Sequence, residues 1–138
     1  MNNKQLIVDF MAALNERDLD GLPRYLAADV IDHNKIIHGE PDEPGAAFEG
    51  LRQQLAAFGE FNVAGEELIA EGDRVVARVT VSGRHTGAHP RMPSPTNREF
   101  SIEQIWILTV ISGRIKEIRA VSDRLGMFAQ LGWDWPTN

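Results

Sequence analysis

The sequence of 138 residues contains no cysteine, which excludes disulfides, thiolate metal ligands and a cysteine nucleophile. A lack of cysteine also fits a reducing compartment, so we expect a cytoplasmic protein. No apolar run approaches the roughly 20 residues that a membrane-spanning helix requires, and no membrane partner is predicted. The opening stretch MNNKQLIVDFMAAL has no basic start before an apolar run. We therefore interpret it as part of the mature fold and not as a signal peptide.

Positive charge is also scarce. The chain has 14 lysine and arginine residues against 20 acids, and its net charge is −6. Such a chain repels phosphate backbones, and its basic residues are scattered, so we expect no nucleic-acid partner. A phosphate-binding glycine loop, a nucleophile elbow and a nucleotide fingerprint are all missing. His85 and His89 are four apart, but Gly87 and Pro90 disfavour the helix that would bring them together on zinc, and no metal is predicted.

The apolar residues that are present first follow a helical period. One amphipathic helix covers Leu6 to Leu14, and a short second helix begins at a cap on Asp20. The stretch DVIDHN is predicted to be extended, and HGEPDEPG is predicted to be a loop. A third helix carries Phe48, Leu51, Leu55 and Phe58 and ends at Gly59.

After Gly59 the period changes to that of strands. FNVAGEELIAEG and DRVVARVTVSGRHTG predict one antiparallel hairpin, and REFSIEQIWILTVISG with RIKEIRAVSD predict a second that turns at Ser112 and Gly113. A last helix contains Leu125, Phe128 and Leu131. We predict one domain over residues 1–138. Its fold class is α+β, with helices packed on one face of an antiparallel sheet that bends over them and can enclose a pocket.

Strand alternation predicts which side chains share a face. On the second long strand Val75, Ala77, Val79, Val81 and His85 lie together. The strand FSIEQIWILTV is apolar on both faces, which favours burial of its second face in a homodimer. On the last strand a single face carries Ile115, Glu117, Arg119, Val121 and Asp123. If that face points inward, it places a charged stripe inside an apolar cavity.

Asp123 stands where this last strand gives way to a helix, and two roles are open to it. Aspartate is a favoured helix cap. It can also act as an acid or base, if apolar neighbours such as Val121, Trp106 and Leu125 raise the pKa of the carboxyl group. Both roles can hold at once.

The other candidates also have two readings. His85 is a strand-end histidine bonded to a loop or a pocket residue, and His33 is a structural or a pocket histidine. Glu117 and Arg119 form a structural ion pair or contact a substrate. Phe58 lies in the core or in the cavity wall.

Three stretches together resemble a known family. They are DHN near residue 33, Gly83-Arg84-His85-Thr86-Gly87, and Asp123 followed by Leu125-Gly126 and Gln130-Leu131-Gly132. Their order and spacing are similar to those of the SnoaL-like polyketide cyclases, or ester cyclases. That resemblance implies the nuclear-transport-factor-2-like (cystatin-like) cone, a curved antiparallel sheet wrapped around the N-terminal helices. Many members have tryptophan where this chain has Arg119.

The resemblance also implies a function. In such cyclases an aspartate is the general acid and base for an intramolecular aldol closure of a polyketide ester, without metal or organic cofactor. Here that residue is Asp123, with His85 polarising a carbonyl. The substrate is expected to be a small hydrophobic molecule with a carbonyl group. Arg119, Trp106, Glu117, Phe58 and His33 are expected to line its site. A pair of Asp123 and Arg119 would instead suit an epoxide hydrolase or hydratase, and a non-catalytic ligand-binding protein is the third hypothesis.

Overall fold

The computed structural model describes residues 2–34, 43, 45–90 and 92–132. Helix α1 (Asn3–Asn15) and a 3-10 helix (Leu19–Arg24) come first, and strand β1 (Leu26–Asp32) follows. The remaining elements are α2 (Ala46–Ala57), β2 (Phe58–Glu71), β3 (Arg74–His85), β4 (Glu99–Ile111), β5 (Arg114–Ser122) and α3 (Arg124–Leu131). The predicted loop HGEPDEPG, His38 included, lies outside the described residues except for positions 43 and 45. The α+β fold class is confirmed.

The five strands form one sheet in the order β1-β5-β4-β3-β2. Both predicted hairpins are present, and their turns use left-handed residues at Gly72, Ser112 and Gly113. The sheet is mixed, however, because β1 pairs parallel to β5. The predicted antiparallel sheet therefore has one additional parallel edge strand, whose pairing was not predicted. That pairing joins segments almost ninety residues apart, and local sequence patterns do not report contacts at such a separation.

The core lies between the inner face of the sheet and the helices. The predicted inner residues of β3 are buried, from Val75 to His85. They pack in one apolar cluster with Ile7, Phe10 and Leu14 of α1. Alternation along β3 thus predicted the buried face correctly, because this strand is not interrupted where it pairs with β4.

Strand β5 behaves differently, because it contains a bulge. Val110 pairs with Ile115, but the neighbouring Thr109 pairs with Glu117, so Lys116 is an extra residue in the ladder. Beyond this point the alternation is reversed. Ile118, Ala120 and Ser122 face inward, whereas Glu117, Arg119 and Val121 face outward.

The predicted charged stripe inside the cone was therefore wrong. Among the residues of that face that belong to β5 itself, Ile115, before the bulge, alone has the expected inward direction, and Asp123 lies beyond the end of the strand. A bulge of one residue exchanges the two faces of a strand, and no apolar period signals it.

The short N-terminal helix begins at a different acid from the one expected. The Asp18 carboxylate accepts a hydrogen bond from the Gly21 amide at 3.0 Å and caps the 3-10 helix, so Asp20 lies inside its first turn. Tyr25, at the end of this helix, packs its ring 6.3 Å from that of Phe10. No helix in the described parts of the chain is both long enough and apolar enough to cross a membrane.

Candidate active site on the inner face of the sheet

His85 and Phe58 lie together at the end of β3. The side chain of His85 is 0% exposed, and its ring centre is 5.7 Å from that of Phe58. The Nδ1 atom of His85 accepts a hydrogen bond from the Thr96 amide at 3.1 Å. Phe58 is the first residue of β2 and not the end of a helix, because α2 stops at Ala57. These two predicted site residues are therefore brought together, within the core.

Burial lowers the pKa of His85, and the backbone carbonyls of Met92 and Gly87 offset only part of this effect. The neutral imidazole is thus favoured in the folded protein. A neutral imidazole with no exposed surface suits a structural role in this state, since a ligand cannot reach it without movement of the surrounding side chains.

The residues after His85 hold the end of β3 against the junction of α2 and β2. The amides of Thr86 and Gly87 both donate to the carbonyl of Ala57, at 3.1 and 2.9 Å. The Thr86 hydroxyl accepts from the Gly59 amide at 3.2 Å. A Cβ atom on Gly87 would lie 2.1 Å from the Ala56 carbonyl oxygen, so only glycine fits. The glycine-histidine-threonine-glycine stretch is thus a structural clamp.

Asp123 is the N-cap of α3. Its Oδ1 atom accepts a hydrogen bond from the Gly126 amide at 2.8 Å, and Oδ2 has no hydrogen-bond partner among the described residues. The residue is exposed. The apolar setting that was expected from Val121 and Leu125 is missing, because these side chains are 75% and 62% exposed. The cap is confirmed, and the acid–base role stays a prediction.

Glu117, His33 and Arg119 belong to the outer face. The Nε2 atom of His33 is 3.0 Å from Oε1 of Glu117. This hydrogen bond is the largest of the effects that lower the pKa of Glu117, and the charge of Arg119 adds to it. Arg119 pairs with Ile107 across the β4–β5 ladder and is exposed. The expected contacts of Arg119 and Glu117 with an enclosed substrate therefore conflict with the position of both residues outside the cone.

Three polar side chains, joined by hydrogen bonds, cross the inner face of β4 and β5. The indole Nε1 of Trp106 donates to Oε1 of Gln104 at 2.8 Å, and Nε2 of Gln104 donates to the Ser122 hydroxyl at 3.2 Å. Trp106 packs its ring 6.3 Å from that of Phe10. Of the residues predicted to contact a substrate, Trp106 is therefore the one that lies on the inner face of the sheet beside polar groups.

Sequence reasoning missed Gln104, Ser122 and Asp32 as site residues. Asp32 pairs with Ile118, and partners in a ladder point to the same side, so its half-buried carboxylate faces inward. Its Oδ1 atom accepts from the Asn34 amide at 3.0 Å. The signal available in the sequence was polarity on an apolar face, as at Gln104. Because the bulge reverses the parity of β5, no sequence pattern indicates that Ser122 and Asp32 point to the same side of the sheet.

In the described parts of the chain, no group of three or more histidine and acidic side chains is close enough to hold a metal ion. An open depression of about 450 Å³ lies on the outer surface, where Glu60, Ser82, Ser101 and Gln130 form part of its lining. None of the predicted site residues lines this depression.

Comparison with known proteins gives the family. The model of the SnoaL-like polyketide cyclases matches residues 5–131. Aklanonic acid methyl ester cyclase DauD of Streptomyces sp. strain C5 is 34% identical over 84% of this chain and 70% of its own. Nogalonic acid methyl ester cyclase of Streptomyces nogalater is 32% identical over 91% of this chain and 94% of its own. The chain belongs to the SnoaL-like polyketide cyclase family.

Solved structures agree with the fold. TsrD from Streptomyces laurentii superposes with a TM-score of 0.80 and 28% identity, over 96% of this chain and 98% of its own. IdmH from Streptomyces antibioticus superposes with a TM-score of 0.78 and 26% identity, over 96% of this chain and 99% of its own. The predicted cone-shaped α+β fold is therefore confirmed.

Proposed function

We propose that this protein closes a ring in a hydrophobic polyketide methyl ester by an intramolecular aldol reaction, in a pocket on the inner face of the sheet and without a cofactor. The observation that carries the proposal is its identity of 32–34% to two methyl ester cyclases over most of its length. The inner face adds support, because Trp106, Gln104 and Ser122 place a few polar groups on a wall that is otherwise apolar.

The reaction needs a base that removes a proton next to the ester carbonyl. The resulting enolate carbon attacks a ketone carbon in the same molecule, and the new alkoxide takes up a proton. We assign the base to Asp123, which directly follows Ser122 and keeps Oδ2 available while Oδ1 caps α3. A carboxylate that has accepted the proton from carbon can return it to the alkoxide, so no other reagent is consumed.

Asp32 is a second carboxylate that can act as the base. It faces the inner side of the sheet, two strands away from Trp106, whereas Asp123 lies at the end of β5. Asp123→Asn and Asp32→Asn are therefore compared in the same assay. Loss of turnover in the first alone supports Asp123, and loss in the second alone moves the base to Asp32.

The test of the function is turnover of methyl esters of polyketide acids with a reactive methylene group, followed by mass spectrometry in labelled water. Ring closure gives an isomer of the same mass or, after loss of water, a mass lower by one water. No labelled oxygen enters at the ring-closing step. A product that gains labelled oxygen in every turnover would instead identify a hydrolase. That alternative depended on a pair of Arg119 and Asp123, and Arg119 lies outside the cone.

A binding protein is the remaining alternative, and exposure of Asp123 is the observation that favours it. Saturable binding of the esters with no conversion, over long incubation at high protein concentration, would support it. Conversion that depends on either aspartate would exclude it.

The assembly and location are part of the same proposal. Ile105 pairs with Val121 and Ile107 with Arg119 on the outer face, and the three apolar side chains are exposed in the monomer. We propose that a second copy covers this face. Light scattering of wild-type protein and of an Ile107→Glu variant tests it, with a dimer expected to become a monomer. Cell fractionation tests the expected cytoplasmic location.

A further inference from the structure

We infer that the Ser122 hydroxyl donates a hydrogen bond to the enolate oxygen of the substrate, and that Gln104 points the hydroxyl proton there. The inference rests on the proposed function and adds a catalytic residue to it. It comes from the directions of two hydrogen bonds on the inner face.

The donor and acceptor roles in the series of hydrogen bonds from Trp106 through Gln104 to Ser122 follow from Trp106. The indole Nε1 of Trp106 can only donate. The amide oxygen of Gln104 must therefore be the atom 2.8 Å away, which leaves its Nε2 amide group facing Ser122 at 3.2 Å. An amide nitrogen donates, so the Ser122 oxygen accepts and its own proton must point elsewhere. No acceptor for that proton is present among the described residues.

The surroundings of Ser122 favour a hydrogen bond from this hydroxyl proton to a substrate oxygen. The other inward residues of β5 beyond the bulge are Ile118 and Ala120, and Ala120 presents only a methyl group. A hydroxyl donor on an apolar wall is worth more than one in water, because the local dielectric constant is low. Asp123 follows directly in the chain, so the proposed base and the donor lie at the same end of β5.

The chemistry balances without another reagent. The base removes the α-proton, the electron pair of the broken C–H bond enters the enolate, and negative charge develops on the carbonyl oxygen. Ser122 stabilises that oxygen by a hydrogen bond and does not lose its proton. When the new C–C bond forms, the enolate returns to a carbonyl group and the charge moves to the alkoxide, which takes the proton from Asp123.

The first variants are Ser122→Ala, Ser122→Thr and, as a matched control, Ser82→Ala on the outer side of β3. Loss of one preorganised donor is expected to lower kcat by about 100-fold. Ser122→Thr retains the hydroxyl and should have most of the wild-type kcat. The control Ser82→Ala should have the full wild-type kcat. Equal kcat in wild type and Ser122→Ala would overturn the inference.

Gln104→Glu tests the direction of the proton. A glutamate carboxylate can only accept, so it would take hydrogen bonds from both Trp106 and Ser122 and turn the Ser122 proton away from the substrate. We expect kcat to fall as far as in Ser122→Ala while the melting temperature stays close to that of wild type. The double variant should be no slower than either single variant. Full additivity of the two losses would contradict the shared role.

Binding of a naphtholate, an anion that resembles an enolate, separates the two proposals. Its affinity is measured by the change in naphtholate absorbance and needs no turnover. Ser122→Ala should weaken it about 10-fold or more, relative to Ser82→Ala, as expected for a hydrogen bond to a charged oxygen. Equal affinities would overturn the Ser122 assignment. Absence of ester turnover by the wild-type protein, with the Ser122 effect on naphtholate binding present, would overturn the proposed function alone.

Discussion

The side-chain amide of Gln130 forms two hydrogen bonds with the backbone of Ser101, as a neighbouring strand would. Its oxygen accepts from the Ser101 amide at 2.6 Å, and its nitrogen donates to the Ser101 carbonyl at 3.1 Å. The pairing of β4 with β5 ends at Gln104 and Ser122, so this amide continues the ladder on the free edge of β4. Helix α3 is attached to the sheet by this contact and by the buried Leu131.

We expect Gln130→Ala to lower the free energy of unfolding by about 1–2 kcal/mol, because two exposed hydrogen bonds are lost at about 0.5–1.5 kcal/mol each. Chemical denaturation measures the change. Gln5→Ala on α1, which removes one exposed bond to Asp9, is the matched control and should cost less. Equal losses in the two variants would show that the Ser101 contact adds nothing.

Asp123 allows stability and catalysis to be separated by the choice of substitution. Asparagine caps helices as well as aspartate does, so Asp123→Asn should keep the melting temperature within a few degrees while turnover is lost. Asp123→Ala should lose turnover and about 1 kcal/mol of stability. Thermal melting and turnover are measured on the same samples. Full activity in the asparagine variant would remove Asp123 from the mechanism.

Gly87 should be the glycine least tolerant of alanine among those in the clamp. A Cβ atom there would lie 2.1 Å from a backbone oxygen, so the α2–β2 junction has to move. We expect Gly87→Ala to cost at least about 2 kcal/mol, toward the upper end of overpacking effects. Gly65→Ala is the control, because the added atom would meet the flexible end of Met11 at 3.1 Å. Similar denaturation midpoints for the two variants would rule out the clamp.

Burial of His85 predicts a pH dependence of stability. Because its pKa is lowered in the folded protein, the unfolded chain binds the proton more readily, and its imidazole has a pKa near 6.5. The stabilisation is fully present above about pH 6.5 and is lost as the pH falls through the lowered pKa of the folded state. Unfolding free energies between pH 8 and pH 5 measure it. His85→Gln should flatten this profile, and an unchanged slope would be evidence against the effect.

Sequence reasoning located the elements well but not every face. The hairpins, the β3 core face and the Asp123 cap follow from local patterns, and local hydrogen bonds fix them in the structure. The orientation of Glu117 and Arg119 does not follow from local patterns, because it depends on the single extra residue Lys116 in the β4–β5 ladder. Asp32 was missed for a related reason, since its inward direction comes from parallel pairing with a strand from the far end of the chain.

The motif that indicated the family has turned out to be largely structural. Thr86 and Gly87 hold the start of β2, Gly126 leaves room for the Asp123 carboxylate, and Gly132 ends α3 in a left-handed conformation. A Cβ atom on Gly126 would lie 2.2 Å from Oδ2 of Asp123. Short motifs of this kind therefore identify the fold through its tightest contacts.

The bulge at Lys116 has a consequence for how such a protein can diversify. If Lys116 instead entered the regular ladder opposite Thr109, the rest of β5 would rotate by half a turn and exchange its two rows of side chains. Glu117, Arg119 and Val121 would then replace Ile118, Ala120 and Ser122 inside the cone. Loss of the bulge at constant strand length thus exchanges a neutral ligand surface for a charged one, so substitutions that act on the backbone at this one position are a route to new specificity.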